Sequence, residues 1–151
     1  MTTDLSHVNE NGKASMVDVS NKSPQRRIAE ATGFIEMASQ TVELIRSNGM
    51  KKGDVLSVAR LAGIQAAKQT PNLIPLCHPL LLDHIDVEAE ICAKGVEVTS
   101  RVVCIGRTGV EMEALTAVST ALLTVYDMCK AVDKGMRITG ICLVKKIKED
   151  F

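Results

Sequence analysis

Two alternating runs, HIDVEAEICA and VEVTSRVVCI, flank Lys94-Gly95. No other part of the chain restricts the fold as tightly. In the first run Ile85, Val87, Ala89 and Ile91 alternate with Asp86, Glu88 and Glu90. A period of two places the apolar set on one face of a strand and the acidic set on the other. The second run alternates again, so Lys94-Gly95 reads as the turn of an antiparallel hairpin.

The rest of the chain supplies helices to cover the apolar face. Ser23-Pro24 suits a helix start, with Ser as N-cap and Pro in the first position. Ile28, Ala31, Ile35, Ala38, Val42 and Ile45 then recur at helical spacing until Asn48-Gly49. A second helix is expected to start at an Asp54 cap and to stop before Pro71. Ala59, Ala62, Gly63, Ala66 and Ala67 give it a small surface that a partner backbone can approach. A third helix carries Leu115, Val118, Leu122, Val125, Cys129 and Val132 toward the core and ends at Gly135. A last strand, broken or bulged at Gly140, follows.

Residues 1–24 are polar and read as a flexible arm, with one short strand over MVDVS at 16–20. Residues 25–151 form a single domain. The elements show no βαβαβ alternation. The expected architecture is therefore α+β, with helices packed on one face of a mainly antiparallel sheet.

Composition narrows the function. The 18 basic and 18 acidic residues cancel, and there is no Trp, one Tyr and two Phe. A general nucleic-acid binder would be basic, and a single-strand binder would need more aromatic surface. No run is long enough to span a membrane, and the N-terminus lacks a signal-peptide pattern. Five cysteines without a C-x-x-C pair read as reduced thiols of a cytoplasmic protein.

Three features carry chemistry. Cys77 and His78 sit side by side between Pro75 and Pro79. They suit a nucleophile with a base from elsewhere, metal ligands together with His84, the lip of a substrate pocket, or a structural turn. On the third helix Glu113, Thr116, Thr120, Thr124, Asp127 and Lys130 form a second stripe, with threonines where a solvated face would carry charge. Another helix or another subunit is expected to cover it. Glu113 and Asp127 are fourteen residues apart, about 21 Å along the axis. One small ligand on one subunit cannot touch both, so a shared site would be long or built by two chains. Asp127 and Lys130 share a face, as a surface ion pair or as an acid–base pair. Finally, Arg107 and Thr108 lie between two glycines just before the helix. A plain capped turn explains them, and so does an anion site.

The segments MVDVSNK, KGDVLSVARLAGIQAAKQTPNLIPLCHPL and TGVEMEALTAVSTALLTVYDMCKA closely resemble the cyclic pyranopterin monophosphate synthase family. That family supplies the second enzyme of molybdenum cofactor biosynthesis. The likeness runs over roughly residues 5–144. It implies a ferredoxin-like α+β fold and a homohexamer, a trimer of dimers, with inter-subunit active sites. It also implies a lyase that converts 3′,8-cyclo-7,8-dihydroguanosine triphosphate into cyclic pyranopterin monophosphate, with release of pyrophosphate. The implied catalytic residues are Asp127, Lys130 and Lys52. Leu76, Cys77, His78, Met112, Glu113 and Lys68 are implied to bind substrate. Asp18 and Glu111 stand in second rank, and Lys52, Lys68 and Arg107 are the cations for the triphosphate. No metal site and no tightly bound cofactor is expected, although Mg²⁺ can travel with the triphosphate.

Two departures stand out. Arg107 occupies a position where the family usually has Lys, which keeps charge but makes a poor proton donor. The chain also ends KKIKEDF, without the family's Gly- and Lys-rich tail. If that tail clamps phosphates, Lys145, Lys146 or Lys148 must substitute, or affinity suffers.

Overall fold

The computed structural model describes residues 5–151. Its elements are β1 (Gln25–Glu36), α1 (Ser39–Arg46), α2 (Val55–Leu73), β2 (His84–Cys92), β3 (Gly95–Gly106), α3 (Glu111–Cys129) and β4 (Arg137–Glu149). The four strands form one sheet in the order β2-β3-β1-β4, antiparallel throughout. With α2 and α3 as the two main crossing helices, this is the ferredoxin-like α+β arrangement. The expected hairpin is β2–β3, closed where Cys92 faces Gly95. A side chain at Gly95 would run into the Ile35 carbonyl, so glycine is required there by space.

The core lies between one sheet face and the helices. Ala29, Ala31 and Ile35 of β1 and Val96, Val98 and Val102 of β3 meet Ala117, Val118, Ala121 and Leu122 of α3, all buried. Gly33 lets α3 settle onto β1: a Cβ there would lie 2.7 Å from Leu122 and 2.8 Å from Val118. Small residues also bring α2 to α3, as expected. A Cβ at Gly63 would stand 3.0 Å from the Ala117 carbonyl oxygen.

Several sequence expectations are overturned. The helix predicted from Pro24 is a strand over Gln25–Glu36, and only Ser39–Arg46 is helical. Ile28, Ala31 and Ile35 fit a helical stripe. Ala29, Ala31, Gly33 and Ile35 fit a strand of period two just as well. The strand prevails because β1 lies between β3 and β4, and both of its edges are paired. A helix would also place Gly33 in its interior, at a cost of about 1 kcal/mol. The segment 16–20 forms no strand.

Helix α2 does begin at the Asp54 cap, whose carboxylate accepts from the Ser57 N–H at 3.2 Å. It continues through Pro71 to Leu73, however. Proline supplies no N–H for the Ala67 carbonyl, and the Thr70 hydroxyl donates to that oxygen instead, at 3.0 Å. Helix α3 ends at Cys129, not at Gly135. The N–H groups of Val132 and Asp133 both turn back to the Cys129 carbonyl. Val132 is accordingly exposed and not part of the core face. Strand β4 is bulged at Gly140 as expected: its pairing with β1 shifts between Thr32 and Phe34.

Candidate functional site

Helix α3 separates two clusters. At its N-terminal end a cavity of about 370 Å³ is lined by Leu76, Cys77 and His78 of the proline corner, Met112 and Glu113 of α3, and Thr108 and Gly109. The N-terminal segment closes one side through Val17, Val19 and Lys22. His78 ties the corner to that segment, because its Nε2 lies 2.7 Å from the Val17 carbonyl oxygen. A carbonyl can only accept, so Nε2 carries the hydrogen and donates. Asp18 and Arg107 flank the same contact from a neighbouring depression.

Glu113 is the unusual group in this cavity. A carboxylate in the first turn of a helix is ordinarily a solvated partner of the helix dipole. Glu113 is only 3% exposed. Burial pushes its pKa up to about 7, and the charge of Glu111 adds to the rise. Glu111, two residues away, behaves oppositely. Burial raises it, but the hydrogen bond and charge of Lys146 outweigh that and hold it below the ordinary value. Two neighbouring carboxylates thus have separated proton affinities, a combination suited to proton exchange near neutrality. Cys77 is no activated nucleophile, since burial and the charge of Glu113 both raise its pKa.

The shift of Glu113 has a measurable consequence. Its value in the fold lies above the ordinary 4.5. The associated stability is therefore fully present below about pH 4.5 and is lost as the pH rises through about 7. Glu113→Gln is expected to remove a pH-dependent loss of about 3 kcal/mol between about pH 4 and pH 8. Denaturant titrations of both proteins across that range check it. Parallel pH profiles would contradict the assignment.

The second cluster lies at the other end of α3, in a cavity of about 570 Å³. Lys52 Nζ is 2.8 Å from one Asp127 carboxylate oxygen, and Lys130 Nζ is 3.0 Å from the other. The hydrogen bond from Lys52, then that from Lys130, holds Asp127 below the usual carboxylate range. The three side chains are about half exposed. Sequence spacing alone pairs Asp127 with Lys130. Only the fold brings Lys52 to them from the loop after α1.

The fold thus groups Leu76, Cys77, His78, Met112 and Glu113 at one cavity and Lys52, Asp127 and Lys130 at another. It does not bring Lys68 to either: that side chain is exposed on α2 and lines neither cavity. The threonine stripe between the clusters is half-buried. Among the described residues no three His, Cys, Asp or Glu side chains converge as metal ligands. No helix there is long and apolar enough to cross a membrane.

Sequence reasoning missed Arg27. It lies on β1, where a helix was expected, and its buried guanidinium donates to the carbonyls of Gly106 and Arg107, both at 3.4 Å. These bonds hold the turn that leads into α3. Among the three C-terminal lysines, Lys146 is the one paired with Glu111. The β1–β4 register, with Ala29 opposite Lys146, is what selects it, and lysine content does not.

Comparison with known proteins gives a single family. The model of the MoaC family matches residues 16–149. A cyclic pyranopterin monophosphate synthase of Novosphingobium aromaticivorans is 57% identical over 143 residues, covering 95% of this chain and 91% of that protein. One from Methylobacterium nodulans is 58% identical over 94% of this chain and 90% of its own length. One from a Roseiflexus species is 52% identical, with 95% and 92% covered.

Proposed function

The chain belongs to the MoaC family, and from that premise we propose that it is a cyclic pyranopterin monophosphate synthase of molybdenum cofactor biosynthesis. Its substrate is the cyclised guanosine triphosphate, and pyrophosphate is the leaving product. The observation that carries the reading is the grip of Lys52 and Lys130 on opposite oxygens of Asp127. A cyclic phosphate forms when a sugar hydroxyl attacks the innermost phosphorus, its proton passes to water and the bond to pyrophosphate breaks. Negative charge then grows on the leaving oxygens. Two protonated lysines held at fixed separation stabilise that charge, a kind of contribution worth about 3 kcal/mol per donor. Asp127 is kept ionised by both lysines, which makes it a weak base. Its role is to hold the two lysines in place.

The rebuilding of the purine-derived ring into a pterin is assigned to the other cluster. Glu113, with a pKa of about 7, can take and return protons near neutrality. His78 and Cys77 line the same cavity as Glu113, and the anchored Nε2 fixes the imidazole orientation. Mg²⁺, where present, accompanies the triphosphate as part of the substrate.

The two clusters stand at opposite ends of a helix of 19 residues. Both serve one reaction if each active site combines the Glu113 end of one chain with the Asp127 end of another. Leu61 on α2 and Leu123 on α3, 67% and 59% exposed, offer apolar surface for such contacts. A homohexamer arranged as a trimer of dimers accommodates them.

Incubation of the protein with 3′,8-cyclo-7,8-dihydroguanosine triphosphate tests the reading. Release of pyrophosphate together with a pterin product is expected. A folded protein that binds this substrate and leaves it unchanged would refute it.

A further inference from the structure

The Lys52–Asp127–Lys130 cluster is assembled across a join between distant parts of the chain. Lys52 lies on the loop that leaves α1, while Lys130 lies on the turn that leaves α3. The two are linked through the exposed carboxylate of Asp127, and exposed ion pairs fix geometry weakly. A second link crosses the same join. One carboxylate oxygen of Asp133 accepts from the Ala38 N–H at 3.0 Å and from the Thr41 hydroxyl at 2.7 Å. The other accepts from the Gly135 N–H at 3.0 Å. Thr41 is buried at 2% exposure. Ala38 is the N-cap of α1 and has no side chain to cap it. Asp133 thus caps a helix from 95 residues away in sequence.

We propose that Asp133 is a positioning residue for the lysine pair. By capping α1 it fixes the turn that carries Lys130 against the helix whose outgoing loop carries Lys52. The inference rests on the reading of these lysines as catalytic. Helix α1 has only eight residues. So short a helix is held by its caps and packing, not by propensity; loss of the cap at its start shifts the helix as a body, and the loop leaving its other end carries Lys52.

A purely structural cap and a positioning cap differ in what they change. Loss of a structural cap lowers stability and leaves turnover alone. Asp133→Ala is expected to lower kcat by about 10- to 100-fold, with KM changed by less than about threefold. Asp133→Asn keeps an oxygen that can accept from Ala38 and Thr41, and it is expected to recover most of kcat. Ser100→Ala, which removes a buried hydroxyl bond to the Ala114 carbonyl far from both lysines, serves as the control and should lose stability only. If Asp133→Ala fails to fold, Thr41→Val removes one of the two cap bonds and replaces it.

A second readout does not require activity. After reductive methylation with ¹³C-formaldehyde, the Lys52 and Lys130 signals are expected to move toward the solvent-exposed lysines in Asp133→Ala and to return in Asp133→Asn. Unchanged kcat and unchanged lysine signals in Asp133→Ala would overturn the proposal. If the parent protein makes no product, the functional reading fails, and the lysine spectra alone decide the role of Asp133.

Discussion

Asp127→Ala lowers turnover by about 10³-fold or more and leaves the fold intact. Both halves of this expectation come from the same geometry. Asp127 is exposed, and among the described residues its side chain makes polar contacts with Lys52 and Lys130 alone. Removing it costs the core nothing. It leaves two ammonium groups close together without the anion that holds them, and like charges then drive them apart. The transferring phosphate loses both fixed donors in one step. Asp127→Asn keeps the shape without the charge and is expected to fail nearly as badly. Steady-state pyrophosphate release, beside thermal unfolding of each variant, checks the pair of claims. Substantial turnover by a folded Asp127→Ala protein would remove the triad from the reaction.

Two inactive variants regain activity when their subunits are mixed. Asp127→Ala disables the end of α3 that carries the lysines, and Glu113→Gln disables the other end. If each site draws one end from each of two chains, co-refolding the two proteins in equal amounts produces some sites with both ends intact. Random assembly places about a quarter of the sites in that class, so activity should return to about a quarter of the parent value. If each site belonged to one chain, every site would carry one lesion and the mixture would stay dead. The separation along α3 makes the effect large, since a continuous helix from Glu111 to Cys129 does not bend to bring its ends together.

The two clusters were unequally legible in the sequence. Asp127 and Lys130 are three positions apart on one helix, and helical geometry alone places them together. The same geometry sets Glu113 apart from Asp127. Lys52 joined them only through family resemblance. The fold supplies the physical reason, since the α1–α2 loop meets the end of α3. The abnormal proton affinity of Glu113 was not legible at all. A glutamate in the first helical turn is ordinary until its neighbours bury it.

Resemblance also grouped Lys68 with the site; within one chain it is exposed on α2 and lines neither cavity. The N-terminal segment reads as a flexible arm in sequence; in the fold the Val17 carbonyl holds His78 and Val19 lines the cavity.

Local alternation and turn chemistry determined the β2–β3 hairpin, the Asp54 start of α2 and the Gly140 bulge, because each depends on residues within a few positions of one another. Strand β1 depended on something else. Its spacing fits a helix and a strand alike. The choice was made by β3 and β4, which are distant in sequence and satisfy both of its edges, and by α3, which needs the gap at Gly33. The same holds for Asp133, a surface aspartate by sequence and a helix cap only once α1 is brought to it. Periodicity settles what one segment can become. Which segments share their backbone bonds, bury a carboxylate or face a lysine is decided by packing between parts of the chain that sequence proximity does not relate.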